Sequence, residues 1–245
     1  MEKALKFLLV PVPLALAHAD GERRKTYKSS LYYHALSSSQ PKISSTRNGK
    51  KAYVLDLAAQ LHSMTTVPNT FEELAVKILN DIPREYETIY IVWDTYRDSL
   101  KLTLGSAHLR TPSDFQMFLC NGDNKERLLE LIEETWIRRK EILEDRVVYF
   151  ARGEICQWIA NEGAEEVESL KMNHEEADTK IAYLTQHALD NIEELSQVFI
   201  RSPSGDIDIT VIMVGAFDKS ETEISIGNGI GKNRRTIRVD SSKKN

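Results

Sequence analysis

Residues 173–213 of this chain read NHEEADTKIAYLTQHALDNIEELSQVFIRSPSGDIDITVIM and set out the organisation of the whole fold. The pattern predicts an amphipathic helix that begins among acidic residues and runs to about Asn191. A β-type run over residues 198–202 follows, then a Pro-Ser-Gly turn and a second acidic pair before another apolar run. The stretch therefore delivers two groups of carboxylates from neighbouring elements, and these are Glu175, Glu176, Asp178, Asp206 and Asp208.

Two earlier segments end in acids in the same way. Residues 52–56 and 88–93 are short, apolar, β-type runs, and each closes on an aspartate, Asp56 or Asp94. Helical patterns over residues 57–64 and 71–82 separate them, so the four segments indicate a βαβ unit. Because the carboxyl ends of parallel strands meet at one rim, we expect an α/β fold whose central, mostly parallel sheet gathers these acids.

The remaining segments complete this fold class. A helix is predicted over residues 124–143 and strands over residues 146–150 and 154–159. The tail alternates around Gly227-Asn228-Gly229, which favours a tight β-hairpin and argues against a nucleotide-binding loop, because no helix follows. We expect an extension over residues 1–50, a main domain over residues 51–218, and a C-terminal hairpin with a basic tail over residues 219–245.

Composition limits the possible functions. The chain has 245 residues, 41% of them hydrophobic, and a formal net charge of −5, so it carries no overall basic footprint of a non-specific nucleic-acid binder. Basic groups would have to act locally. Cys120 and Cys156 stand far apart and without zinc-ligand spacing, so we interpret them as reduced intracellular thiols.

The N-terminus imitates a secretion signal. Lysines precede an apolar run, and Ala17-His18-Ala19 resembles a signal-peptidase site, but Pro11 and Pro13 interrupt the run. We interpret this stretch as a false signal and expect an intracellular protein. No apolar segment reaches the roughly 20 residues that a membrane span needs, so no membrane partner is expected.

A single acid at a strand or helix end is usually structural, because it caps a helix or stabilises its dipole by about 0.3–1 kcal/mol. Six such acids at one rim would repel one another without a cation. Hard divalent cations take oxygen ligands, so the pattern predicts a site for Mg²⁺ or Mn²⁺. The candidate catalytic and metal ligands are Asp56, Asp94, Glu176, Asp178, Asp206 and Asp208.

These residues also carry a family resemblance. Glu176-Ala-Asp178-Thr179 and Ser204-Gly-Asp206-Ile-Asp208 resemble the acidic motifs of the 5′-nuclease (flap endonuclease-like) branch of PIN-like nucleases, and Asp56 and Asp94 resemble that family's first two metal-site aspartates. The motifs agree in order and spacing over residues 52–213. A closer resemblance is to PIN-like domains of transposon-associated animal reading frames, which have HEEADT-type and SPDTDV-type motifs.

The resemblance implies a three-layer PIN-like fold and metal-dependent hydrolysis of phosphodiester bonds in DNA or RNA. It places Asp56, Asp94, Glu176 and Asp206 at a first ion and Asp178 and Asp208 at a second, with Glu175 and Thr179 outside the direct ligands. Arg97, Lys101 and Arg110 would bind substrate phosphates, or be ordinary surface charges. A nucleic-acid substrate in turn suggests nuclear residence.

Other interpretations stay open at this point. The family's stricter motif has an aspartate where Thr179 stands. The 37 residues that follow Asp208 in the sequence show no obvious helix-hairpin-helix pattern for DNA binding. A degenerate or truncated domain that binds nucleic acid or protein without cutting is therefore the main alternative. A phosphoacceptor role for Asp56 is less favoured because no Asp-x-Asp follows the first strand. His62, His174 and His187 are interpreted as surface or packing residues.

Overall fold

The structure is a computed structural model, and it describes residues 49–94, 109–173, 176–204, 207–217 and 219–239. The signal-like N-terminal stretch, Arg97, Lys101, Glu175 and Asp206 lie outside these ranges. Within them the chain forms eight strands and six α-helices. In order, these are β1 Lys50–Asp56, α1 Leu57–Ser63, α2 Phe71–Asn80, β2 Thr88–Val92, α3 Phe115–Leu119, α4 Gly122–Arg138, β3 Val147–Arg152, β4 Ile155–Ala160, β5 Gly163–Glu166, α5 Ala177–Asn191, β6 Leu195–Ser202, α6 Asp208–Phe217, β7 Glu223–Asn228 and β8 Arg235–Arg238.

The eight strands form one sheet in the order β5-β4-β3-β2-β1-β6-β7-β8. The five central strands, from β3 to β7 across the sheet, pair in parallel, whereas β4, β5 and β8 add antiparallel edges. The predicted α/β class, the mostly parallel sheet and the C-terminal hairpin are confirmed. From β1 the chain builds outward to β2 and β3, and it later returns to the other side of β1 to lay down β6 and β7. The strand order therefore reverses between β1 and β6.

Helices cover both faces of the sheet. Alternate residues of a strand point to opposite faces, and Tyr53, Leu55, Ile89 and Ile91 belong to the same buried cluster as the apolar sides of α2 and α4. On the other face, α5 contacts β1, β2 and β6 and packs against α6. Because they are covered on both faces, residues 52–55 of β1 and 89–92 of β2 are all apolar and buried, as in parallel strands generally.

Local signals in the sequence fix several helix starts. Thr70 caps α2 through its hydroxyl, and the Glu73 side chain accepts a hydrogen bond from the Thr70 backbone N–H, which together make a capping box. Asn121 caps α4 by accepting from the N–H groups of Asp123 and Asn124. Glu72 and Glu73 also place negative charge in the first turn of α2, where it stabilises the helix dipole.

Two predicted boundaries were wrong. The helix expected over residues 124–143 ends at Arg138, because Arg139 leaves helical geometry and a separate 3₁₀ turn, Lys140–Leu143, follows. The hairpin does not turn at Gly227 and Asn228. Both belong to β7, where they pair with Thr236 and Arg235, and the connection to β8 is a longer loop that contains the 3₁₀ turn Gly231–Asn233.

Within the described ranges, none of the helices has both the length and the apolar character required to span a membrane.

Gly227 illustrates how closely the sheet packs on its α2 face. A Cβ atom at this position would lie 2.6 Å from Cζ of Phe199, whose ring stacks on Tyr53 at a centroid distance of 5.6 Å. We therefore expect Gly227→Ala to lower the free energy of unfolding by about 1–3 kcal/mol, measured by urea denaturation.

Gly215 provides the matched control, because nothing lies within 4 Å of a Cβ atom there and the residue is inside α6. Gly215→Ala should raise the unfolding free energy by about 0.5–1 kcal/mol. Equal effects of the two substitutions would contradict the packing described for Gly227. Phe199→Leu should restore part of the loss caused by Gly227→Ala.

Candidate active site

Asp56 lies at the centre of the carboxyl rim of the sheet. It is the last residue of β1 and the N-cap of α1, where Oδ1 accepts a hydrogen bond from the Ala59 N–H at 2.9 Å. Its other oxygen, Oδ2, accepts from the Ser202 hydroxyl at 3.0 Å. The residue is only 7% exposed. The two hydrogen bonds, one from the backbone and one from a side chain, fix the orientation of this buried carboxylate.

The Ser202 bond joins the two strands between which the strand order reverses. Ser202 is the last residue of β6, and its hydroxyl lies 3.1 Å from the hydroxyl of Ser204. Since Ser202 donates to Asp56, Ser204 can donate to Ser202. In open α/β sheets, ligands bind in the crevice at such a reversal, outside the carboxyl ends of the strands.

Asp94 supplies a second carboxylate from the neighbouring strand β2, two residues beyond its end. Its Oδ1 accepts a hydrogen bond from the backbone N–H of Ala177 at 2.7 Å, at the first turn of α5. The N-cap residue of that helix, Glu176, makes no capping bond with its own side chain. Asp94 therefore replaces it, and the positive end of the α5 dipole stabilises the carboxylate.

A cleft of about 450 Å³ brings these groups together. Its walls come from α1, the end of β2, the start of α5, the segment after β6 and the β7–β8 connection. The lining residues are Asp56, Ala58, Ala59, His62, Ser63, Asp94, Ala177, Asp178, Pro203, Ser204 and Ile230.

The electrostatics of the cleft disfavour two negative charges in the absence of a cation. Burial raises the pKa of Asp56, and the nearby negative charge of Asp94 raises it further. The hydrogen bonds from Ala59 and Ser202 act in the opposite direction, because they stabilise the ionised form. An incoming cation would relieve both the desolvation and the repulsion.

Lys180 is a fixed positive charge beside this cleft. The side chain is fully buried on α5, and Nζ donates a hydrogen bond to the Trp93 carbonyl at 2.7 Å. Burial lowers the pKa of Lys180, whereas the carboxylates of Asp94 and Glu126 favour its charged form. The ammonium therefore holds the end of β2 against α5 and partly balances Asp94.

Of the other residues predicted for the site, one lines the cleft and the rest of those described lie outside its lining. Asp178 lies in the first turn of α5 and lines the cleft, but Glu176 is exposed and outside the lining. Thr179 donates its hydroxyl hydrogen to the Glu176 carbonyl. Asp208 is the first residue of α6 and lies outside the cleft lining. Arg110 is exposed, and its backbone forms an isolated antiparallel β-bridge with Thr70, just before α2.

Asp56, Asp94 and Asp178 are thus the predicted acids that the described residues bring to one cleft. Within the described ranges, no group of three or more His, Cys, Asp or Glu side chains is arranged to hold a metal ion by itself. Asp206 and Glu175, which the sequence assigns to the same site, lie outside those ranges.

Two residues of this region, Lys180 and Ser202, were missed by sequence reasoning. Lys180 is hidden among the apolar positions of α5, although its place on that buried face could have been found from the helical period. Ser202 acts across two strands that are distant in sequence. His62, interpreted as a surface or packing residue, is exposed and also lines the cleft, where Nδ1 lies 3.2 Å from Oε1 of Gln116.

No protein-family model, curated protein or solved structure matches this chain.

The raised pKa of Asp56 has a consequence for stability. Between its unfolded and folded pKa values the folded state binds more protons, so ionisation of Asp56 destabilises the fold as the pH rises through the folded value. Asn caps a helix as well as Asp and stays neutral. We therefore expect Asp56→Asn to raise the Tm by several degrees at about pH 7 and to leave it unchanged at about pH 3.

Thermal unfolding across this pH range, without added metal, measures the difference directly. Asp145→Asn is the control, because Asp145 is exposed and lies outside the cleft lining. A lower Tm for Asp56→Asn at neutral pH would show that its charge stabilises the fold.

Proposed function

We propose that this chain is a PIN-like nuclease of the 5′-nuclease type, which hydrolyses phosphodiester bonds of DNA or RNA with Mg²⁺ or Mn²⁺. One observation carries the proposal. Asp56 and Asp94, from the ends of adjacent parallel strands, line the same cleft together with Asp178 from the neighbouring helix start. The sequence motifs that resemble this family supply the same acids in the same order.

The donor set suits a hard divalent cation. Each carboxylate has about four lone-pair sites, and the hydrogen bonds described for Asp56 and Asp94 leave acceptor capacity on both. Asp56, Asp94 and Asp178 would supply part of the ligand set for the ion, and the resemblance adds Glu176, Asp206 and Asp208. A bound divalent ion activates water and stabilises negative charge that develops on phosphate oxygens.

The surrounding residues orient these ligands. Ser202 and the Ala59 N–H fix both oxygens of Asp56, so the carboxylate cannot rotate away from the cleft. The Ala177 N–H fixes Asp94, and Lys180 holds the backbone one residue before it. Rigid ligands reduce the reorganisation needed when charge develops in the reaction.

The proposal extends to location. A nucleic-acid substrate and free Cys120 and Cys156 are consistent with an intracellular, nuclear protein.

A second candidate is a domain that keeps the fold but binds nucleic acid or protein without cutting. The capping bonds favour it, because Asp56 and Asp94 each stabilise a helix start. Such a role would account for both residues without catalysis.

Cleavage assays separate the two candidates. Labelled single-stranded, duplex and 5′-flap DNA and single-stranded RNA would be incubated with the full chain in Mn²⁺ or in chelator. We expect cutting in Mn²⁺ alone and a loss of about 100-fold or more in Asp94→Asn, because removing a ligand charge weakens transition-state stabilisation by several kcal/mol.

Asp145→Asn should cut at the wild-type rate. A wild-type chain that binds one of these substrates and cuts none would favour the non-cutting domain. Cutting that survives in both Asp56→Asn and Asp94→Asn would remove the cleft from the mechanism.

A further inference from the structure

The connection between β7 and β8 carries a concentration of positive charge that no role above uses. Residues 229–235, here called the cationic loop, read Gly-Ile-Gly-Lys-Asn-Arg-Arg and contain no acid. Lys232, Arg234 and Arg235 are all exposed. In a chain with a net charge of −5, such a segment is a local exception.

The strand register places the cationic loop on the same rim as the cleft. Asn228 pairs with Ser202 on one side and with Arg235 on the other, and Ser202 bonds to Asp56. Neighbouring strands are about 4.8 Å apart, so the Arg235 backbone lies about 14 Å from that of Asp56 along the rim. Ile230, at the near end of the cationic loop, is 48% exposed and lines the cleft itself.

Arg201 holds the near end of the cationic loop in place. Its Nη1 donates to the Gly227 carbonyl and its Nη2 to the Gly229 carbonyl, both at 2.9 Å. Because its planar guanidinium binds both carbonyl oxygens, Arg201 fixes the end of β7 and the start of the connection to β8.

Among the described residues, no acid is close enough to Arg201 to balance the positive charge around it. Burial and the positive charge of Arg234 both lower the pKa of Arg201, and only the Tyr53 hydroxyl acts in the other direction. Neither Lys232 nor Arg234 pairs with a carboxylate of the described residues. Two neighbouring guanidinium groups without a shared acid favour an anion between or beside them.

We propose that the cationic loop binds the sugar–phosphate backbone of a nucleic-acid strand whose scissile phosphate lies in the cleft. This inference rests on the proposed function, since it names the surface that holds the substrate beyond the reacting bond. Lys232, Arg234 and Arg235 contact successive phosphates, and Ile230 contacts the sugar or base next to the cleft. Phosphate contacts of this kind position a substrate without reading its sequence.

The cationic loop is better placed for this role than Arg110, the only described member of the phosphate-binding set predicted from sequence. The backbone of Arg110 forms a β-bridge with Thr70 just before α2, and Arg110 does not line the cleft. The cationic loop, in contrast, shares its rim with both acidic strand ends and contributes a side chain to the cleft wall.

Equilibrium binding without cleavage tests this role. Labelled 20-nucleotide single-stranded DNA and RNA would be titrated in chelator, over a range of salt concentrations, by fluorescence anisotropy. The triple variant Lys232→Gln, Arg234→Gln, Arg235→Gln should bind at least about 10-fold more weakly than wild type. Three lost phosphate contacts should also reduce the slope of log K against log salt by about 2, since each single-strand contact contributes about 0.7.

The control removes the same charge from the opposite rim, where helices α2 and α4 end and strands β2 and β3 begin. It carries Lys77→Gln, Arg84→Gln and Lys140→Gln, and it should bind like wild type with an unchanged salt slope. Because the residues substituted in the cationic loop are exposed, its variant should also unfold at the wild-type Tm.

Several outcomes would overturn the proposal. These are wild-type binding by the cationic loop variant, an equal loss in both variants, and no binding of either nucleic acid by the wild-type chain. Hydrolysis of a small phosphodiester without flanking nucleotides shows whether only the role of the cationic loop fails or the nuclease proposal fails as well. If the nuclease proposal holds, the cationic loop variant should still hydrolyse it in Mn²⁺, whereas Asp94→Asn should not.

Discussion

The hydrogen bond from Ser202 to Asp56 is the contact on which the rest of the site depends. It joins the carboxyl ends of β1 and β6, the two strands between which the strand order reverses, and it orients a carboxylate that is 7% exposed. The same rim receives Asp94 from β2, Asp178 from α5 and the cationic loop from the β7–β8 connection. The sheet therefore brings acids and cations together from segments that are far apart in sequence.

This arrangement works against stability. A buried Asp56 beside Asp94 is a like-charge pair in a partly desolvated cleft, and Lys180 balances it only in part. Proteins retain such unfavourable groups mainly where a ligand or a reaction uses them. The capping bonds to Ala59 and Ala177 explain how the chain tolerates these charges, because each carboxylate gains a backbone donor at a helix start.

The sequence is informative wherever a signal is local. Asp56 and Asp94 could be placed at strand ends because each follows a short apolar run. Ser202 could not be assigned, because its partner lies 146 residues away and lateral strand order leaves no local pattern. The hairpin turn was predicted at the wrong place, because Gly-Asn-Gly favours a tight turn, whereas pairing of Gly227 with Thr236 continues β7 beyond that residue. Lys180 was overlooked because a charged residue is seldom expected inside a helix–sheet contact.

Calorimetric titration of Mn²⁺ into the full chain asks whether the acids of the rim form a cation site, as proposed above. The account predicts saturable binding. When the titration is run at a pH near the raised pKa of Asp56, binding should also release protons, because the ion displaces the proton of the Asp56 carboxyl group. It also predicts that the double variant Asp56→Asn, Asp94→Asn binds no Mn²⁺. Equal binding by the wild type and this variant, or no binding by the wild type, would contradict the account.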